Sequence, residues 1–203
     1  MAVTGLLLAA GAGRRMGGPK GLLRDPDGTP WAARVVQTLR SGGCSRVSVV
    51  VGAAADQVRA LLPDDVEVVL AEDWAQGMGA SLREGLDALM ADGSGAPDAV
   101  LVTLVDLPGV TAEVVARLVA HTAPSVLARA GYGGVPGHPV LIGREHWAGV
   151  CAVADADAGA RAYLAARAAD VVLVECGDVG SGHDVDTPAD LHRTPAPPHP
   201  PTA

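Results

Sequence analysis

Seven short runs of Val, Leu and Ala recur along the chain, at residues 3–9, 46–51, 66–70, 99–105, 125–128, 139–142 and 171–175. Several, such as "VTGLLLA" and "AVLVTLV", lack the polar–apolar alternation of a strand with one wet face, which predicts strands covered on both sides. Between them lie stripes at helical spacing. Trp31, Val35 and Leu39 recur every four residues, and Val58, Leu61 and Leu62 form a shorter stripe. Leu82, Leu86 and Leu89 follow Ser81, a predicted N-cap; Val114, Val115, Leu118 and Val119 follow Thr111, another. Tyr163 and Leu164 mark the Ala-rich segment 157–169. Strands alternating with helices imply helices on both faces of a mostly parallel sheet. The expected fold is α/β, a three-layer Rossmann-like domain.

The chain of 203 residues is sized for one core, assigned here to residues 1–193. Beyond it "TPAPPHPPTA", 194–203, is Pro-rich without apolar anchors and is expected to be a disordered, extended tail. A net charge of -8, an aromatic share of 2% and the absence of Phe argue against a nucleic-acid partner, which would want basic surfaces and stacking rings. No apolar run approaches the roughly 20 residues that span a bilayer, so no membrane is expected. The apolar start runs straight into glycine and reads as a buried strand, not a signal peptide. Cys44, Cys151 and Cys176 are scattered and form no CxxC, which fits buried thiols in a reducing cytoplasm.

The first apolar run flows into "LAAGAGRRMGGPKGLL", and three phosphate-binding grammars compete for it. A dinucleotide fingerprint wants a third glycine where Met16 stands, and an acid that the end of the second run, "VVVGAAAD", does not place at its tip. A Walker A loop fails, because Pro19 removes a backbone donor and Gly21, not a hydroxyl residue, follows Lys20. The third grammar is a glycine loop for a free triphosphate. Bare backbone approaches the oxygens, and Arg14, Arg15 and Lys20 face the charge that builds on a departing pyrophosphate. A solvated glycine turn is the competing reading.

That segment, followed in order by "DGTPW" (27–31), "WAQGMGASLREGL" (74–86), "LVDLPGV" (104–110), "GHPVLIGREHW" (138–147), "DAGAR" (157–161) and "DVDTPADL" (184–191), resembles the MobA-like nucleotidyltransferases, in particular the molybdenum-cofactor cytidylyltransferase branch. The resemblance implies a fold like that of nucleotide-diphospho-sugar transferases and a Mg²⁺-assisted reaction. In it a phosphate on the acceptor attacks the α-phosphorus of a nucleoside triphosphate and pyrophosphate leaves. It places Leu8, Ala9, Ala10, Gly11, Gly13, Arg14, Arg15, Lys20, Gly77, Gly79, Ser81 and Asp106 around the nucleotide. Lys20, Arg15 and Asp106 become catalytic, Asp106 and Asp186 hold the metal, and Gly137, His138 and Asp184 face the acceptor.

The residues alone leave bland readings open. Asp106 can be a turn aspartate before Pro108, Asp186 a helix cap, His138 a structural histidine before Pro139, Met78 packing and Arg161 helix surface. His121, His146, His183, His192 and His199 have no metal-ligand spacing. In the resembling family "LAAG" marks the cytidine-using branch. Ala10 adds a methyl where a purine would lie, worth about 1–3 kcal/mol of discrimination, so CTP is the favoured substrate. A molybdopterin-type acceptor and a client molybdoenzyme as partner rest on the resemblance. The alternatives are a GTP-using or sugar-phosphate nucleotidyltransferase, an NAD(P)H-dependent reductase on the same scaffold, and a non-catalytic cofactor carrier.

Overall fold

All seven apolar runs become strands of one sheet in the structure, a computed structural model that describes residues 1–92, 95–154 and 159–192, His192 by its backbone alone. They are β1 (Val3–Ala9), β2 (Arg46–Val51), β3 (Glu67–Leu70), β4 (Ala99–Leu104), β5 (Leu127–Tyr132), β6 (Val135–Gly143) and β7 (Val172–Glu175). Their order is β3-β2-β1-β4-β6-β5-β7. Every pairing is parallel except those of β6, which runs antiparallel to both β4 and β5. The helices are α1 (Trp31–Ser41), α2 (Ala55–Arg59), α3 (Met78–Ala91), α4 (Ala112–Val119), α5 (Trp147–Val153) and α6 (Arg161–Ala166). The expected tail, 194–203, lies outside the described residues, as do positions 157 and 158 of the Ala-rich segment. Among the described residues no helix is long and apolar enough to cross a membrane.

The missing alternation in β1 has a direct cause. Leu7 packs with Val36 and Leu39 of α1 and Val115 and Leu118 of α4, while Leu6 and Leu8 pack with Leu82 and Leu86 of α3 and Trp147 of α5. Both faces of the strand are dry, so both carry apolar side chains. The chain fills one side of β1 with β2 and β3 before returning to the other side with β4. The carboxyl ends of strands at such a reversal open a crevice.

Two expectations are corrected and one helix was not foreseen. Ser81 does not cap α3: the helix starts at Met78, after Gly77 turns the chain at φ 117°, and Ser81 is buried in the first turn. Leu61 and Leu62 fall beyond α2, which ends at Arg59. The spacing also missed α5, whose buried Trp147 and Val150 make too short a stripe to read. Thr111 does cap α4. Its hydroxyl accepts from the Val114 N–H at 3.3 Å and donates to the Val179 carbonyl at 3.0 Å. At the tip of the β5–β6 hairpin, the Glu175 carboxylate at the end of β7 accepts the N–H groups of Gly133 and Gly134 as well as that of Gly177, each at 2.9 Å.

Candidate functional site

A cleft of about 740 Å³ opens at the carboxyl ends of β1 and β4. Its first wall is the loop that leaves β1. Gly13 sits at φ +57°, and a Cβ there would come within 1.9 Å of the Gly18 carbonyl oxygen. Glycine therefore lets the loop close on itself, with the Met16 and Gly18 N–H groups donating to the Gly13 carbonyl at 2.9 and 3.2 Å. Met16, which breaks the dinucleotide pattern, is buried in the α1/α4-side core and pins the loop from below. Among the described residues, no protein group accepts from the N–H groups of Ala12, Gly13, Arg14 or Arg15, all of which line the cleft. A run of free backbone donors beside two guanidinium groups is chemistry suited to phosphate oxygens.

The second wall is ionic. Lys20 enters through a short 3-10 turn, Lys20–Leu22. Its Nζ lies 2.7 Å from Asp106 Oδ2 and 2.5 Å from Asp186 Oδ1, and Arg15 Nη2 lies 2.7 Å from Asp186 Oδ2. The lysine side chain is only 12% exposed. Burial by itself lowers its pKa, but hydrogen bonds and charge from both carboxylates outweigh this and hold the ammonium above its ordinary value. The hydrogen bond from Lys20 holds Asp186 below the usual carboxylate range, and the charges of Lys20 and Arg15 add to it.

Asp106 stands just past the end of β4. The Val185 N–H donates to the Asp106 carbonyl at 3.0 Å, which brings the distant 184–186 segment alongside. That segment is shaped by Asp190, whose Oδ2 accepts from the N–H groups of Asp186 and Thr187 and from the Thr187 hydroxyl, at 3.3, 2.8 and 2.7 Å. The capping reading of Asp186 is thereby corrected: Asp190 does the local bonding, and the Asp186 carboxylate is left for Lys20 and Arg15. Only a 3-10 turn, Asp190–His192, follows Pro188 among the described residues.

These acids suit a magnesium ion. Asp106 Oδ1 is buried and accepts no hydrogen bond, and the two carboxylates already converge on one cation, the Lys20 ammonium. Mg²⁺ takes one or two carboxylates and completes its shell with water and substrate phosphate. No group of three or more His, Cys, Asp or Glu side chains suited to a metal occurs among the described residues, so the remaining ligands would come from solvent and substrate.

Of the residues expected at the site, Leu8, Ala10, Gly11, Gly13, Arg14, Arg15, Lys20, Gly77, Ser81, Asp106, Asp184 and Asp186 line this cleft. Ala9 and Gly79 do not. Strand alternation turns Ala9 to the α1-side core, and Gly79 is buried in the first turn of α3. Gly137 and His138 also lie off the cleft, in the first half of β6. His138 lines a neighbouring cavity of about 70 Å³ with Arg129 and Arg161. Burial pushes its imidazole down to about 4, and the charges of Arg129 and Arg161 push the same way. Met78 packs against the α3-side core, as the packing reading expects, and also lines the cleft wall.

Sequence reasoning missed two residues. Trp74 lines the cleft although its motif was read for its glycines, Met78 and Ser81. Arg34 of α1 reaches the Pro108 carbonyl at 3.4 Å and Asp25 at 3.0 Å, tying together the loops that carry Lys20 and Asp106. An arginine on an amphipathic helix gives by itself no signal of such a bridge.

The chain is similar to known proteins in sequence and fold. Nicotine blue oxidoreductase of Paenarthrobacter nicotinovorans is 37% identical over 206 residues, covering 94% of this chain and 95% of that protein. The crystal structure of the Mycobacterium tuberculosis Rv0371c homolog from Mycobacterium sp. strain JC1 matches with a TM-score of 0.77 and 28% identity, over 94% of this chain and 93% of that one. Mycobacterium tuberculosis Rv0371c in complex with manganese matches with a TM-score of 0.76 and 25% identity, over 95% and 97%. These superpositions show the nucleotidyltransferase form of the Rossmann-like fold. The MobA-like NTP transferase domain matches residues 5–171, most of the chain, and to that family this protein belongs.

Proposed function

We propose that this chain transfers a nucleoside monophosphate, CMP from CTP, to a phosphorylated acceptor of the molybdopterin type and releases pyrophosphate. The observation that carries this reading is the Lys20 ammonium held between Asp106 and Asp186 on the wall of a glycine-rich cleft. An incoming triphosphate competes with the two carboxylates for Lys20 and with Asp186 for Arg15. The freed carboxylates of Asp106 and Asp186 would hold Mg²⁺, which neutralises phosphate charge and polarises the α-phosphoryl oxygens when bound. The loop N–H groups and Arg14 cradle the departing end, where charge develops in the transition state. No side chain needs to form a covalent bond, and the work is positioning and neutralisation. The manganese complex of Rv0371c supports a divalent ion in this role.

The base would lie between Leu8–Ala10 and the start of α3, where the Ala10 methyl supports cytosine over a purine. The same reading takes residues 1–193 as one cytoplasmic catalytic domain, the tail as an extension, and a client molybdoenzyme as recipient of the product. The test is incubation with each of the four nucleoside triphosphates, Mg²⁺ and molybdopterin, following pyrophosphate release. Release with CTP alone is expected, release with GTP or with a sugar phosphate moves the protein to another transferase branch, and silence with all four overturns the reading.

A second reading is favoured by one finding: a relative 37% identical along nearly its whole length is named an oxidoreductase. An NAD(P)H-dependent reductase would use the same cleft for a dinucleotide. Met16 in place of the third glycine, and a second strand without an acid at its tip, count against it. NADPH oxidation with nicotine blue as acceptor separates the two: turnover there with no pyrophosphate release would establish the reductase.

A further inference from the structure

Leu8, Met78 and Arg161 line both the cleft and the smaller cavity, so the two adjoin. The smaller one, of about 70 Å³, holds a few waters' worth of space, room for one small charged group and not for a nucleoside. Arg129, His138 and Arg161 meet there against an otherwise apolar lining that includes Leu82, Val140 and Leu164. Arg129 Nε and Nη2 donate to the Gly137 carbonyl at 3.3 and 3.2 Å. Among the described residues, no carboxylate pairs with either arginine, in a protein whose net charge is -8. Arg129 is half-buried: burial lowers its pKa and the nearby charge of Arg161 lowers it further. With no acid among the described residues to balance the half-buried Arg129 beside the exposed Arg161, the two like charges next to an apolar wall favour the arrival of an anion.

His138 completes the set. The Tyr132 hydroxyl donates to the His138 carbonyl at 2.8 Å and fixes its backbone, while neither ring nitrogen bonds to a described protein group. The imidazole is thus an uncharged partner that can donate from one nitrogen or accept at the other.

We infer that Arg129, His138 and Arg161 form a second oxyanion subsite, separate from the triphosphate loop, which takes a carboxylate or phosphate borne by the acceptor. Naming the acceptor as its source rests on the nucleotidyl-transfer reading; the anion site itself does not.

The test is titration of inorganic phosphate into the full chain saturated with Mg²⁺ and a non-hydrolysable α,β-methylene CTP, read by calorimetry and ³¹P NMR. One further phosphate should bind the wild type. Arg129→Met, at a position that lines the smaller cavity and not the cleft, should weaken it at least tenfold while leaving affinity for the analogue unchanged, and Arg161→Gln, on an exposed helix position, should weaken it likewise. Competition by acetate identifies a carboxylate as the natural group if it displaces phosphate at lower concentration, and a phosphoryl group if it does not. Absence of the second phosphate, or wild-type phosphate affinity in both variants, overturns the subsite. If the analogue itself fails to bind, the transferase reading falls alone. The phosphate titration repeated in Lys20→Met, where the loop site is disabled, still reads Arg129 and Arg161.

Discussion

Replacing Lys20 by methionine keeps the side-chain stem and removes the ammonium that two carboxylates share. Asp106 Oδ2 and Asp186 Oδ1 both lie within hydrogen-bond reach of one nitrogen, at 2.7 and 2.5 Å. In the variant they face each other at roughly 5 Å, where an effective dielectric of about 20 gives about 3 kcal/mol of repulsion. The two side chains are 18% and 27% exposed and Arg15 stays on Asp186, so solvent and that guanidinium reduce the net loss to about 1–2 kcal/mol. For a chain of this size that is a Tm lower by about 2–8 °C. The pH profile carries the sign. The depressed pKa of Asp186 contributes stability above its unfolded value of 3.8 that is lost as pH falls through the folded value. The raised pKa of Lys20 contributes stability below 10.5 that is lost as pH rises through the folded value. The gap between wild type and variant should therefore be widest between these limits and close toward both. With the ammonium gone, Mn²⁺ meets two carboxylates of which only Asp186 keeps a cationic partner, and it should raise the Tm of the variant more than that of the wild type. Thermal melts from pH 3 to 11, with and without MnCl₂, read all of this. A gap independent of pH, or greater stabilisation of the wild type by metal, would refute the shared-cation account.

Three further perturbations probe other parts. Gly13→Ala forces a methyl into the left-handed region and against the Gly18 carbonyl; it should cost about 1–3 kcal/mol and abolish CTP binding by calorimetry, and unchanged affinity would mean the loop does not hold the nucleotide. His138 has a folded pKa of about 4, so wild-type stability should decline as pH drops from 6.5 toward that value, by up to about 3 kcal/mol. His138→Gln should flatten this decline in urea titrations at pH 4.5 and 7.5, and an equal decline in both proteins would place the titration elsewhere. Thr111→Ala removes both the α4 cap and the bond to the Val179 carbonyl and should cost about 1–2 kcal/mol, measured by thermal melting.

The strands were legible because burial on two faces leaves a plain chemical trace: Leu6, Leu7 and Leu8 are all apolar since each meets a core. Their ends were less so. β5 runs on to Tyr132 and β6 starts at Val135, through a hairpin whose Gly, Pro and Arg content masks pairing set by neighbouring strands. The loop residues of the candidate site announced themselves through glycine and charge. Asp106 and Asp186 could be proposed as partners only from the resemblance, since nothing local reports a contact between residues eighty positions apart. Arg34, Trp74 and the pairing of Arg129 with His138 were invisible for the same reason: each depends on which loops the sheet order brings together.

The reversed direction of β6 has an architectural consequence. A parallel neighbour would need a helical crossover to reach β5, whereas the antiparallel one needs only the Gly133–Gly134 turn. That turn sits on the rim where the carboxyl ends of the other strands gather, tethered by Glu175 instead of by a packed helix. Chain inserted there would extend a two-stranded arm over the opening and leave every layer beneath it in register. The rim beyond β4 can thus be remodelled at this turn, while the loop that leaves β1 takes no insertion between Gly13 and Gly18 without reopening their closure.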